Sequence, residues 1–214
     1  MKRRFTVVAL SAVLLLGLGS GSASFALEKD AKAKDAPKAK DTSKTDSTHD
    51  QMMAEMQKYA TPGPMHDLLK PMVGTWKAVT KAWMSPGDPT VNAGTCENTW
   101  ILGGRFLQTT YKGEFGGMPF EGFGIMGYDN QKKEFVSTWA DNMGTGIAFS
   151  NGTADASGKV LTLSSTMIDP MTGKPVNYKM VTKVTDENQH AMSMITMKDG
   201  KEHTDFEISY TRVK

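Results

Sequence analysis

The sequence is poor in the features that would assign it to several large classes of protein. Cysteine occurs once, at Cys96, so no disulfide can form within the chain. The 25 lysine and arginine residues nearly balance the 23 aspartate and glutamate residues, which leaves a formal net charge of +2. This balance, without a basic stripe interleaved with aromatic residues, argues against nucleic-acid binding.

Long apolar runs are also lacking, apart from one near the N-terminus. Residues 1–4 (MKRR) form a basic segment, and the apolar run over residues 7–18 is too short to span a bilayer comfortably. Ser24, Phe25 and Ala26 then form a small-x-small pattern that is typical of a signal-peptide cleavage site. We therefore predict that residues 1–26 are a signal peptide cleaved after Ala26, and that the mature protein is periplasmic or secreted. The alternative is an uncleaved anchor helix.

The next two segments differ in composition. Residues 28–50 consist of lysine, acidic and small residues with proline and no large apolar side chain, so residues 27–50 are predicted to be a disordered, mixed-charge linker. Residues 51–73 are predicted to form short helices. Met52, Met53 and Met56 have helical spacing, and residues 61–64 (TPGP) interrupt the pattern before a second apolar helix.

From Thr75 onward, the apolar pattern changes to a period of two. One clear run places Val176, Tyr178, Met180 and Thr182 on one face of a strand. Turn signals recur about every ten residues, which predicts about ten consecutive strands without a helix long enough for a parallel crossover. We predict an all-β fold, a single antiparallel up-and-down β-barrel over residues 74–214, because closure removes exposed sheet edges. A twisted sandwich is the alternative.

Two residues at the ends of this region resemble a known motif. Gly74-Thr75-Trp76 opens the first predicted strand, and Arg212 lies near the chain end. The pattern resembles the calycin superfamily of lipocalin-like barrels, in which a basic residue packs across the tryptophan of a Gly-x-Trp motif. The resemblance implies that Trp76 and Arg212 close one end of the barrel and have a structural role.

Longer motifs are similar to one bacterial family, the domain of unknown function 1579. They are residues 62–64 (PGP), 100–107 (WILGGRFL), 122–129 (GFGIMGYD) and 139–146 (WADNMGTG). The resemblance covers residues 61–214 and implies a calycin-like fold in an exported protein. It carries no established activity, so function must be argued from the residues.

Catalytic signatures are weak. Gly122, Gly124 and Gly127 match the dinucleotide pattern G-x-G-x-x-G, but that chemistry needs a helix directly after the glycines, and here a turn follows. We interpret these glycines as positions where a barrel strand bends sharply or admits bulky neighbours. Because no nucleophile elbow is present either, we predict no catalytic residue and favour a protein that is not an enzyme.

Histidine and methionine offer the remaining chemistry. The four histidines, none at the spacing of a zinc motif, are His49, His66, His190 and His203. His203, Asp205 and Glu207 share one strand parity, which we assign to the wet outer face. The 16 methionines are interpreted as core and cavity residues rather than copper(I) ligands. No metal or cofactor is expected; haem bound through His190 or His203, as in the nitrobindin-like calycins that the fold resembles, is the alternative.

A barrel of this size can hold one small ligand, and we expect an apolar or amphipathic one. The inward aromatic residues expected to line the site are Trp100, Trp139, Tyr178 and Tyr210. Polar residues of the same parity are Asn98 and Thr182, and Cys96 shares that parity. Small residues expected to leave the interior underfilled are Ala78, Thr80 and Ala82. The alternative is a ligand-free structural or interaction barrel of the cell envelope, and the oligomeric state is left open.

Overall fold

The structure, a computed structural model, describes residues 43–84, 87–169 and 172–214. The predicted signal peptide and residues 27–42 of the predicted linker lie outside these residues. The described chain begins with helices α1 (Ser43–Ala60) and α2 (Pro64–Asp67) and a short 3-10 helix (Lys70–Met72). Ten strands follow: β1 (Gly74–Ala82), β2 (Thr90–Ile101), β3 (Phe106–Phe115), β4 (Met118–Asp129), β5 (Glu134–Asp141), β6 (Ala148–Ala154), β7 (Val160–Ile168), β8 (Pro175–Asp186), β9 (Gln189–Lys198) and β10 (Lys201–Arg212).

Helix α1 corrects one sequence-based prediction. It begins at Ser43, so residues 43–50, which were predicted as disordered linker, are helical. The sequence contains no proline or glycine between Pro37 and Pro62, so nothing interrupts a helix that extends upstream from the methionine-rich segment. Met52, Met53 and Met56 are all exposed and add nothing to the core. No helix in the described ranges is long and apolar enough to cross a bilayer.

The strands form a closed antiparallel barrel in which each strand pairs with its neighbours in sequence and β1 pairs with β10. The predicted fold is therefore confirmed, and the sandwich alternative is wrong. The ladders differ in length. Strand β6 has five paired residues with β5 and five with β7, whereas each other ladder has seven to ten.

One end of the barrel is plugged. We call it the closed end: it contains the start of β1 and the β2–β3, β4–β5, β6–β7 and β8–β9 connections. Helix α2 and the 3-10 helix insert Leu69 and Met72 into this end. The buried strand residues that pack against them are Leu107, Phe135, Leu161, Leu163 and Val184. The opposite end, with the β1–β2, β3–β4, β5–β6, β7–β8 and β9–β10 connections, is called the open end.

A β-bulge in β10 changes which side chains face inward. The register between β9 and β10 shifts between Thr204 and Phe206, which leaves Asp205 as the extra residue. Asp205 accepts a hydrogen bond from the buried hydroxyl of Thr196 and so faces the same side as Phe206. The assignment of Asp205 to the wet outer face was therefore wrong, and so was that of His203, which pairs with the buried Thr196, because a bulge reverses the alternation of the residues before it.

Candidate functional site

Trp76 and Arg212 lie together at the closed end. The ring of Trp76 is fully buried, and the Arg212 guanidinium carbon lies 4.1 Å from its centroid. Arg212 donates hydrogen bonds to the carbonyl oxygens of Val73 (2.6 Å), Pro71 (2.8 Å) and Glu187. The indole N–H of Trp76 donates to the carbonyl oxygen of Met72 at 2.8 Å. This network fastens the 3-10 helix to the barrel, which is a structural arrangement.

His190 lies above this network and is buried. Its ring stacks on Tyr210 at 4.3 Å and meets the ring of Trp76 edge-on at 4.3 Å. Burial, with the nearby charge of Arg212, lowers the pKa of His190 to about 4, so the imidazole is neutral at pH 7. A neutral imidazole suits a metal, and the buried Nδ1 atom of His190 has no hydrogen-bond partner among the described residues. Two aromatic rings contact the imidazole, which is the packing expected of a core residue.

Cys96 and Asn98 face inward near the closed end, which confirms the predicted orientation of Cys96. Burial raises the pKa of the Cys96 thiol to about 12, so it stays protonated and unreactive at neutral pH. Asn98 donates to the carbonyl oxygen of Met72 at 2.8 Å and accepts from Thr109 at 2.7 Å. These bonds occupy the side chain of Asn98 in holding the plug.

The six residues expected to line one pocket are divided by the structure. Trp100 packs against the core of the closed end, beside Asn98. Tyr210 stacks on His190 at mid-height, and Thr182 is buried on the neighbouring wall. Trp139 and Tyr178 lie nearer the open end, and Thr182 lies at the height of Met192, with which it pairs. The alternation of residues along each strand predicts which side chains face inward, but it does not predict their position along the barrel axis.

The wall formed by β1 is not underfilled. Ala78, Thr80 and Ala82 are all buried, so the expectation of free space beside them was wrong. The hydroxyl of Tyr111 lies 3.3 Å from that of Thr80, and Tyr210 packs against the cluster that contains Ala78. Aromatic side chains from neighbouring strands thus cover the small residues.

The inward side chains that are incompletely buried lie on β9 and β10 instead. The paired residues Met192 and Ile208, and the next inward pair Met194 and Phe206, face the lumen, since their partners across the sheet belong to the core. All four are nevertheless only half-buried. An inward side chain can be reached by water only through the lumen, so the open half of the lumen is accessible. Its accessible wall is apolar.

Trp139 lines the opposite side of this lumen. A Cβ atom added to Gly122 would lie 2.1 Å from Cζ2 of Trp139, and one added to Gly124 would lie 3.0 Å from its Cε3. Strand β4 therefore needs glycine at both positions so that the indole can lie against its backbone. The interpretation of these glycines as sites for bulky neighbours is confirmed. The indole N–H donates to Asp141 at 3.0 Å.

A row of hydroxyl groups crosses the lumen wall on β5 to β9. Register places Ser137, Ser150, Ser165 and Tyr178 opposite one another on successive strands, and Thr196 continues the row on β9. Ser150, Ser165 and Thr196 are buried. Ser165 donates to the carbonyl oxygen of Phe149 at 2.8 Å. The lumen therefore offers an apolar wall and a polar wall.

Asp205 lies at the rim end of the polar wall. Burial alone would raise the pKa of Asp205, but hydrogen bonds from Lys198 (2.7 Å) and Thr196 (2.6 Å), and a contact with His203 (3.1 Å), hold it below its ordinary value. The carboxylate is thus ionised and occupied by its own partners. Across residues 43–84, 87–169 and 172–214, no three acidic, histidine or cysteine side chains are arranged to hold a metal ion.

A concavity on the outer wall is a weaker candidate. This groove, of about 470 Å³, runs over β7, β8 and β9, and Lys179 and Glu202 form an ion pair within it. It is shallow and open to solvent, whereas ligand sites in barrels are enclosed and mostly apolar. We therefore place the candidate site in the lumen.

The lumen residues Met192, Met194, Phe206 and Ile208 were missing from the predicted site, although sequence contained their signal. Their alternation with polar neighbours indicates an inward face, but methionine and isoleucine are common in packed cores as well. The inward position of Asp205 could not be predicted in this way, because nothing in the residues around it indicates the β-bulge.

Comparisons with known proteins place this geometry in a family. The profile described as "Protein of unknown function (DUF1579)" matches residues 61–212. A search among curated proteins gives no significant match. The crystal structure of Rv2717c from M. tuberculosis is similar, with 17% identity and a TM-score of 0.54, over 72% of this chain and 100% of that one. At this identity the likeness shows the fold alone.

A second solved structure, the redesigned beta barrel b11L5F_LGL, has 14% identity and a TM-score of 0.37, over 70% of this chain and 96% of that one. The profile match covers well over half of the chain and agrees with the ten-stranded barrel. The chain therefore belongs to the DUF1579 family of proteins of unknown function.

Proposed function

We propose that this protein binds a small apolar or amphipathic molecule in the open half of the barrel lumen and is not an enzyme. One observation carries the proposal: Met192, Met194 and Ile208 face inward and yet are accessible to water. Apolar surface that stays hydrated inside a barrel gains free energy when a ligand covers it. A mostly apolar concavity with a few polar groups is the usual form of a small-molecule site.

The two walls of the lumen support an amphipathic ligand in particular. An apolar tail would lie between Trp139 and the pair Met192 and Ile208. A hydroxyl or carbonyl group would then face the hydroxyl row, where Ser150 and Thr196 are buried and close to the lumen. Polar contacts of this kind fix the orientation of a ligand, while the apolar contacts supply most of its affinity.

The direct test is binding of a fluorescent fatty acid, such as dansyl undecanoate, followed by fluorescence titration. The double variant Met192→Gln/Met194→Gln keeps similar side-chain volume but makes the lumen wall polar. We expect about tenfold weaker binding, because two apolar contacts lose their favourable burial. The matched control is Met56→Gln on the exposed face of α1, which should bind as the wild type does. Equal affinity of the lumen variant would contradict the proposal.

Native mass spectrometry and an absorption spectrum of the purified protein separate the alternatives. An extra mass that leaves on denaturation, without a Soret band, would support the proposal. A Soret band would overturn it in favour of haem. A bare polypeptide mass, together with no binding of the fluorescent fatty acid, would favour a structural barrel without a ligand.

We also propose that the chain is exported and processed after Ala26. The basic residues 2–4, the short apolar run and the small-x-small pattern support this proposal. Intact-mass analysis of the protein from a periplasmic fraction should give a chain that begins at Leu27. Recovery of a chain that begins at Met1 in the membrane fraction would instead favour an anchor helix.

A further inference from the structure

The open end of the barrel is surrounded by exposed apolar side chains. Each of its five connections carries at least one, either within the connection or at the adjoining strand end. We call this set the mouth ring: Met84, Met118, Met143, Ile147, Ile168 and Met197. Their exposed fractions range from 47% to 70%. Exposed apolar side chains scattered singly are ordinary, but a set around one opening indicates an interaction surface.

Part of the mouth ring is free of charge. The β3–β4 connection is Gly116-Gly117, and no charged residue occurs from residue 115 to 120. The β5–β6 connection covers residues 142–147, and no charged residue occurs from residue 142 to 154. These two connections are neighbours around the barrel. We call these two connections the uncharged arc: they carry no ionised side chain of their own, although Asp141 at the end of β5 accepts a hydrogen bond from the Met143 amide. Removing an ionised group from water would be costly.

The closed end differs from this uncharged arc, although the other three connections of the open end also carry charge, at Asp88, Asp169, Lys174 and Asp199. The connections of the closed end carry charged residues at nearly every turn, including Lys132, Lys133, Lys159 and Glu187. Among the described residues around these turns and the chain end, the large apolar side chains that are exposed are Leu102 and Val213. The turns of the closed end are therefore poorer in exposed apolar side chains than those of the open end, whereas helix α1, which Asn130 of the β4–β5 connection contacts at Tyr59, exposes Met52, Met53, Met56 and Tyr59.

We propose that the mouth ring docks on the surface of a lipid bilayer, so that an apolar ligand passes between the bilayer and the lumen. This inference rests on the proposed function, because docking places the mouth where an apolar ligand is concentrated. Methionine side chains are flexible and adapt to a fluid, apolar phase. The partly exposed Trp83 lies beside Met84, and tryptophan is enriched at membrane interfaces.

A bilayer fits the mouth ring better than a folded partner does. The apolar side chains surround an opening and do not form one continuous patch, so a rigid protein would leave the centre unfilled. A deformable surface can contact all five connections together. The uncharged arc also offers no pattern of charges with which a protein partner could be selected.

The test is co-sedimentation of the full-length mature protein with phosphatidylcholine vesicles. The variant Met118→Ser/Ile147→Ser removes two apolar side chains from the uncharged arc. We expect its partition into vesicles to fall at least about fivefold, since interfacial binding scales with the apolar area inserted. The matched control, Leu102→Ser/Val213→Ser, makes the same kind of change at the closed end and should partition as the wild type does. Binding should persist in high salt, because it is apolar.

Three results would overturn the docking proposal. The first is that the wild type does not bind vesicles, and the second is that high salt abolishes the binding. The third is that the wild type is a dimer which the substitutions Met118→Ser/Ile147→Ser dissociate, because this would assign the mouth ring to contact with a second copy of the chain. Titration with dansyl undecanoate without vesicles distinguishes this failure from failure of the proposed function. Unchanged titration with lost vesicle binding in the variant supports docking. A fatty acid that never binds in solution refutes the lumen site whatever the vesicles show.

Discussion

The two ends of this barrel are built from the same ten strands but have opposite properties. At the closed end, Trp76 and Phe135 are fully buried. Arg212 and Asn98 donate hydrogen bonds to backbone carbonyl oxygens in and directly after the 3-10 helix. In the open half, Met192 and its neighbours face inward and remain accessible. Alternation along a strand decides whether a side chain points inward. Whether that side chain is packed depends on what fills the barrel at its height.

The largest expected effect concerns the core of the closed end. Phe135→Ala removes a fully buried ring and leaves a cavity, so the free energy of unfolding should fall by about 3–5 kcal/mol. Urea denaturation followed by circular dichroism measures this change. Phe149→Ala, which truncates an outward and exposed ring, is the control and should change stability by less than about 0.5 kcal/mol. Similar losses in both variants would show that Phe135 is not part of a packed core.

The second prediction concerns the pH dependence of the closed end. His190 has a pKa of about 4 in the folded protein and about 6.5 when unfolded, so between these values the unfolded state binds more protons. Stability should therefore fall as the pH is lowered from about 6.5 to about 4, by at most about 3 kcal/mol. Burial also lowers the pKa of His66, so His66 changes the stability in the same direction. Because His66 is present in both the wild type and His190→Gln, the difference between these two proteins reports on His190. Denaturation across this range should show a weaker pH dependence in His190→Gln; an unchanged dependence would be inconsistent with a buried neutral imidazole.

The third prediction tests the fastening of the plug. Arg212→Lys keeps the charge but cannot reach three carbonyl groups and the Trp76 ring at once. We expect a loss of about 2 kcal/mol, the order of one or two charge-assisted hydrogen bonds. The control is Lys77→Arg, which makes the reverse exchange, lysine to arginine, at an exposed position on β1. A fully stable Arg212→Lys would mean that charge alone holds the plug.

The fourth prediction concerns the wall of the open half. Gly122→Ala places a methyl group where Cζ2 of Trp139 lies, so the indole must move. Overpacking of this kind costs on the order of 1–2 kcal/mol. The cost should largely disappear in a Trp139→Ala background, which a double-mutant cycle measures. Additive effects of the two substitutions would show that the glycine serves the backbone and not the indole.

The smallest effect is expected where the lumen is accessible. Met192→Ala and Met194→Ala truncate side chains that are already partly exposed, so each should cost less than Phe135→Ala does, on the order of 1 kcal/mol. Thermal unfolding of the two variants checks this. Losses as large as that of Phe135→Ala would remove the difference between the two ends, because they would mean that the open half is packed.

The fold was predictable from sequence because its signals are local. Alternating residues, frequent turns and the Gly-x-Trp motif with Arg212 together predict a closed barrel, and the ten strands confirm it. The start of α1 was less predictable, since the segment before Met52 has no apolar face and its helix depends only on the lack of helix-breaking residues.

The candidate site was only partly predictable. Trp100 and Trp139 share the inward parity, but they lie toward opposite ends of the barrel, because position along the axis depends on the register of several ladders. The side chain of Asp205 faces inward because of a β-bulge, which the sequence around it does not indicate. Local patterns thus indicate the direction of a side chain, whereas its neighbours across the lumen depend on long-range pairing.

The short ladders of β6 bear on how a ligand would enter and leave. With five paired residues on each side, β6 has fewer inter-strand hydrogen bonds to break than any other strand in the barrel. Its amide protons should exchange with solvent sooner than those of β1 or β10, and the sheet should separate there first. A transient seam beside β6 would add to the opening at the mouth. Residence time in the lumen would then depend on how often this strand separates as well as on the mouth, and two ligands of equal affinity could differ widely in how long they stay.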